Sequence, residues 1–195
     1  MITKTELTFY HLHDKLIEHD LIKNELLDLI ENDYDGVMEG RAFIPGLTIN
    51  NDKTKINRLD FKRHSNQDRP WTKCIENHLF PQLQKMINSL GYSYYNLKAL
   101  WYQQYEKGDI HDWHIHTEHF TGVYYLELPE SAPHTLLYNK NKMLLPRVEE
   151  GDIVIFPAMT PHMSPQIKSN ERKTIVSFNF NVVDIDIDEL SSKNN

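Results

Sequence analysis

The chain has 195 residues, 39% of them apolar and 25% charged, with a formal net charge of −7. That is enough for one domain with its own core, 1–195, and short for two. The acidic balance argues against a nucleic-acid surface, which would want a basic patch, and the basic groups Arg58 to Arg63 and Lys168 to Lys173 read as solvated surface. One cysteine, Cys74, excludes an internal disulfide and points to a reducing compartment. Met1 to Phe9 is too polar for a signal peptide, and no apolar run reaches the length of a membrane span, so a cytoplasmic protein is expected.

Leu7 to Leu12 suits a short strand. Glu18 to Asn32 carries Leu21, Ile22, Leu26, Leu27 and Ile30 at helical spacing. Tyr34 to Gln67 is polar and broken by Gly36, Gly40, Pro45 and Gly46, which predicts loops with one or two short strands. Asp68 can cap a second helix, with Pro70 in its first turn, Ile75, Leu79, Leu83, Met86, Ile87 and Leu90 on one side and Gly91 as its stop. Pro81 should kink or split that helix.

After Gly91 the pattern becomes strand-like. Leu97 to Tyr105, Gly122 to Leu128, Thr135 to Tyr138, Met143 to Leu145, Asp152 to Phe156 and Arg172 to Val182 are rich in β-branched and aromatic residues. Turn residues separate them at Lys107-Gly108-Asp109, Pro129 to Pro133, Asn139-Lys140-Asn141 and Glu150-Gly151-Asp152. Asp184 to Asn195 is an acidic, polar tail. Helices followed by about eight short strands predict an α+β domain: a helical and loop support region over 1–94, a sheet sandwich or barrel over 95–183 and the tail over 184–195.

Chemistry concentrates between Tyr105 and Leu126, which holds four of the eleven histidines. The stretch reads as a strand, whose alternation puts His114, His116 and Glu118 on one face. Imidazole and carboxylate are ligands of zinc and iron. A third ligand is best supplied by His162, which follows the strand Gly151 to Pro157 in G-D-I-V-I-F-P-A-M-T-P-H. His111, His119 and His134 read as surface residues or as neighbours of the ligands.

These motifs resemble those of the iron(II)- and 2-oxoglutarate-dependent oxygenases, in particular small bacterial and phage members. The matching residues are His114-Ile115-His116, Thr121-Gly122-Val123-Tyr124-Tyr125, Gly151 to Pro157, His162, and Arg172 with Ser177-Phe178-Asn179. The resemblance implies a double-stranded β-helix, a jelly-roll or cupin-like barrel, with the N-terminal helices packed outside. It implies a dioxygenase, most simply a hydroxylase, that uses Fe(II), 2-oxoglutarate and O2 and releases succinate and CO2, acting on a small-molecule or peptide substrate. By the same resemblance Arg172, ten residues after His162, would pair with the far carboxylate of 2-oxoglutarate. Thr174 would sit on the same strand face, its hydroxyl adding a third bond to that carboxylate, and Tyr105 and Tyr125 would lie against the cosubstrate.

The metal set stays open between two registers. Spacing from Tyr105 selects His114, His116 and His162, whereas the ligand chemistry of iron(II) favours Glu118 through His116-Thr117-Glu118. Three other readings compete: a metal-binding cupin, which lacks the glutamate expected after His116 and has no use for Arg172; a zinc hydratase or hydrolase; and a scaffold whose site is dead.

Overall fold

The structure, a computed structural model, describes residues 11–33, 38–39, 53–60, 69–139 and 141–183. The start of the expected Leu7 to Leu12 strand, Asp68, most of the Tyr34 to Gln67 loops and the Asp184 to Asn195 tail lie outside those residues.

Among the described residues two helices precede most of the sheet. α1 (His19–Glu31) buries Ile22, Leu26 and Ile30, the i, i+4, i+8 row of the predicted apolar face, while Leu21 is left exposed. α2 (Pro70–Ser89) begins with Arg69 at its N-cap and ends before Gly91, whose φ of +87° carries the chain out of the helix. Pro81 does not split α2, which runs through it as one helix of 20 residues. The ring is on the exposed side, as is Asn77, whose carbonyl loses its helical donor.

The strands are β1 (Leu12–Lys15), β2 (Met38–Glu39), β3 (Arg58–Leu59), β4 (Tyr94–Tyr105), β5 (His111–His114), β6 (Phe120–Glu127), β7 (Leu136–Asn139), β8 (Lys142–Leu144), β9 (Asp152–Pro157), β10 (His162–Ser164) and β11 (Lys173–Val183). They form a seven-stranded sheet, β1-β9-β6-β11-β4-β3-β2, and a four-stranded sheet, β5-β10-β7-β8. Every strand pairing is antiparallel. The large sheet is apolar on both faces because it is covered twice. Tyr102, Tyr124, Ile153, Val176 and Phe178 meet the helices. Trp101, Tyr105, Val123, Tyr125, Val154 and Ile175 meet a second core that includes Leu137 of the small sheet.

Register in the large sheet depends on Gly122. It pairs with Phe178 across β6 and β11, and a Cβ there would stand 2.3 Å from the Phe178 ring. Glycine lets that ring lie flat over the neighbouring strand. The helix-facing side of β11 is therefore Thr174, Val176 and Phe178. The opposite side is Lys173, Ile175 and Ser177.

Candidate active site

β5 and β10 carry the site. Their register pairs His114 with His162, and His111 with Ser164. Cross-strand neighbours bring their side chains within contact distance, and the His114 and His162 rings lie 4.1 Å apart. The strand ends at His114, so strand alternation does not place His116. Its backbone N–H instead donates to the Ala158 carbonyl, 2.9 Å away, and its ring stands 5.1 Å from both His114 and His162. One ligand atom from each of His114, His116 and His162 can be chosen so that all lie within 4.8 Å of one another.

Two of these rings have a defined tautomer. His114 Nδ1 lies 2.7 Å from the Asp112 carbonyl, and His162 Nδ1 lies 2.9 Å from the Thr160 carbonyl. A carbonyl only accepts, so each Nδ1 carries the proton and each Nε2 offers a lone pair. Such a tie to an outer carbonyl is the usual way a ligand imidazole is oriented toward a metal. Burial, then the neighbouring imidazoles, holds His162 well below the ordinary imidazole range, in the neutral form that a metal needs. The donor set fits a divalent transition metal of the iron or zinc kind.

Glu118 is outside this group. Its carboxylate accepts from the Asn179 side chain at 3.2 Å. The alternative register, with Glu118 on the same face as His116, requires a strand where the chain bends.

The imidazoles line a cleft of about 320 Å3, part of it open to solvent, whose walls include Trp101, Gln103, Tyr105, Val123, Thr135, Ser164, Ile175 and Ser177. Beyond Ser164 sits Lys173, with no exposed surface. Its ammonium donates to the Pro133 carbonyl at 2.8 Å and to Ser164 Oγ at 3.1 Å. It stands 5.5 Å and 5.9 Å from the ring centres of Tyr105 and Tyr125. Among the described residues no carboxylate pairs with it, and burial lowers its pKa to about 7. The Tyr125 hydroxyl donates to Thr135 Oγ1 at 2.9 Å. Burial pushes that phenol up to about 12 and the Tyr105 phenol higher still, so both stay protonated.

Arg172 and Thr174 are not brought to the cleft, which corrects the expectation for both. Arg172 precedes β11 and turns outward, its guanidinium held by Glu127 at 2.8 and 3.0 Å and by Glu31 at 2.7 Å. Thr174 donates to the same Glu127 carboxylate. The two do share a face, but it is the wrong one: a slip of one residue along a strand exchanges its faces. Lys173, read from sequence as solvated surface, is the cation on the cleft side. Alternation sets Lys173 with Ile175 and Ser177, opposite Thr174, Val176 and Phe178, but both rows carry apolar residues, so packing alone shows which row faces the cleft.

His111 also belongs to the cleft. It is 6% exposed and stacks on His114, with ring centres 3.7 Å apart and planes at 13°. Burial and the other three imidazoles hold it neutral. Gln103 bridges it to Ser177: Nε2 lies 3.2 Å from His111 Nδ1, and Oε1 accepts from Ser177 Oγ at 3.2 Å.

No family model matches the chain, and no curated protein matches its sequence. Its fold is similar to that of several solved structures. A 2OG-Fe(II) oxygenase family oxidoreductase from Burkholderia pseudomallei aligns at a TM-score of 0.66 and 9% identity, over 88% of this chain and 84% of that one. A prolyl-4-hydroxylase from Pseudomonas putida aligns at 0.59 and 13% identity, over 91% and 95%. A Trichoplax adhaerens prolyl hydroxylase, solved in complex with a hypoxia inducible factor peptide fragment, aligns at 0.62 and 17% identity, over 89% and 84%. The chain resembles the 2OG-Fe(II) oxygenases in fold across most of its length. Among the described residues no helix is long and apolar enough to cross a membrane.

Proposed function

We propose that this chain is an iron(II)- and 2-oxoglutarate-dependent dioxygenase, most simply a hydroxylase of an organic substrate. The observation that carries the reading is the pairing of two features in one cleft. Three imidazoles gather at one end, and a fully buried lysine without a carboxylate partner among the described residues lies past Ser164. Two residues of β10 separate His162 from Ser164, a step of about 6–7 Å, which suits an extended five-carbon dicarboxylate. The two facing sheets are read as the halves of a flattened double-stranded β-helix over 95–183, with the rest of the chain supporting it.

His114, His116 and His162 would hold the metal. Bound there, iron(II) supplies the dioxygen chemistry that couples oxidative decarboxylation of 2-oxoglutarate, with release of succinate and carbon dioxide, to oxidation of a substrate C–H bond. Lys173, in place of Arg172, would take the far carboxylate of the cosubstrate, with Ser164 and the Tyr105 hydroxyl beside it. A carboxylate arriving at Lys173 exchanges its water for a buried charge-assisted bond and restores the ammonium's preference for the charged form. Trp101, Val123 and Ile175 wall the cleft with apolar surface and limit water around the reacting groups. The Trichoplax neighbour's peptide complex supports a peptide substrate, and the open side of the cleft accommodates a small molecule equally.

The test is succinate release from 2-oxoglutarate under air with iron(II). Wild type should release succinate even without its main substrate. Lys173→Met should require far higher 2-oxoglutarate, and Arg172→Ala should match wild type. Succinate release by Lys173→Met at the wild-type cosubstrate requirement would overturn the assignment of Lys173. No 2-oxoglutarate binding by iron-loaded wild type would return the site to a cupin or zinc reading.

A further inference from the structure

His111 is a fourth histidine in the cleft that the metal group does not use. Its surroundings fix what it can offer. The Gln103 amide nitrogen is a donor only, so the His111 Nδ1 it faces is the acceptor, and the proton of the neutral ring sits on Nε2. In this orientation the Gln103 oxygen accepts from the Ser177 hydroxyl at 3.2 Å. Stacking on His114 fixes the plane of the ring. Cross-strand pairing with Ser164 places His111 between the metal group and the residue that touches Lys173. No protein acceptor takes its Nε2–H among the described residues, and the ring lines the cleft.

We infer that His111 donates a hydrogen bond from Nε2–H to an anionic oxygen of the dicarboxylate held between the imidazole group and Lys173. The chain Ser177 to Gln103 to His111, on β11, β4 and β5, then sets the tautomer that presents a donor to the anion. This inference rests on the cosubstrate reading given above. It adds a specificity element, because a lone pair at that position would repel the same oxygen.

Two measurements on the zinc-loaded, diamagnetic protein test it, with 2-oxoglutarate as the probe. Long-range 1H–15N spectra should show His111 protonated at Nε2 and bare at Nδ1, with the Nε2–H resonance shifting on addition of 2-oxoglutarate. A proton on Nδ1, or no shift at saturating probe, overturns the proposal. By calorimetry, His111→Phe keeps a flat ring over His114, so its metal stoichiometry should hold while 2-oxoglutarate binding weakens roughly 10- to 100-fold, the loss expected for one hydrogen bond to a charged group. His111→Gln, whose amide nitrogen reaches near the Nε2 position, should recover part of that loss. Unchanged 2-oxoglutarate affinity in His111→Phe, beside a clear loss in Lys173→Met, would sink the His111 role and leave the cosubstrate reading standing. Absence of 2-oxoglutarate binding in wild type would sink both.

Discussion

A buried ammonium without a counter-charge costs a protein several kcal/mol, and Lys173 is such a group among the described residues. Its cost has a pH signature. The unfolded lysine holds its proton up to the ordinary value of 10.5 and the folded one only up to about 7. Between those values the unfolded chain binds more protons, so ligand-free stability should rise with pH from 7 toward 10, by up to about 4 kcal/mol. Below pH 7 the penalty is fully present. Denaturant titrations across that range, on wild type and Lys173→Met, should show the rise in wild type and its loss in the variant. The Met variant should also be the more stable of the two at pH 7, and a less stable Met variant would contradict the picture.

The same scale separates the proposed metal ligands from their neighbours. His162→Ala and His114→Ala should lose iron at micromolar metal, since even residues that only orient a ligand contribute about 10–100-fold in affinity. Glu118→Ala should keep its iron, because the Glu118 carboxylate is engaged by Asn179 rather than turned to the imidazoles. Metal analysis of the purified proteins decides this. Loss of metal from Glu118→Ala with retention in His114→Ala would move the site to the His116-Thr117-Glu118 register.

At the scale of elements, long periodic segments were readable, and so were the short hairpin strands β7 and β8 on either side of the Asn139-Lys140-Asn141 turn. α1, α2, β4, β6, β9 and β11 show clear spacing over eight or more residues or a dense β-branched run. β5 and β10, the two strands that hold the histidines, have four and three residues, too few for a period to appear. Their pairing is set by the tertiary structure around them. The error over Arg172 has a similar origin: composition marked β11 as a strand, but only its packing shows which face meets the helices. Gly122 makes that packing testable. Gly122→Ala pushes a methyl into the Phe178 ring, and overpacking of this kind costs about 1–3 kcal/mol. For a chain of this length that should lower Tm by several degrees. An unchanged Tm would mean that β6 and β11 are not tightly apposed at that register.

For the whole molecule, composition and the order of elements were enough to anticipate an α+β chain with helices outside a sheet pair, and the histidine motifs were enough to anticipate the triad. The second half of the cleft was not legible. Lys173, Gln103, Ser164 and Thr135 come from four separate segments, and none belongs to a motif with fixed spacing. Their convergence depends on two sheets closing over one another. What this convergence places together is a buried lysine and three imidazoles that could hold a metal ion, and both halves are needed for the proposed activity. Anaerobic titration of iron(II) into the protein, with and without 2-oxoglutarate, interrogates both halves at once. A visible charge-transfer absorption that needs metal and cosubstrate together, persists in Arg172→Ala and requires much higher 2-oxoglutarate in Lys173→Met is the predicted result. Iron bound stoichiometrically with no such absorption at any 2-oxoglutarate concentration would contradict the account.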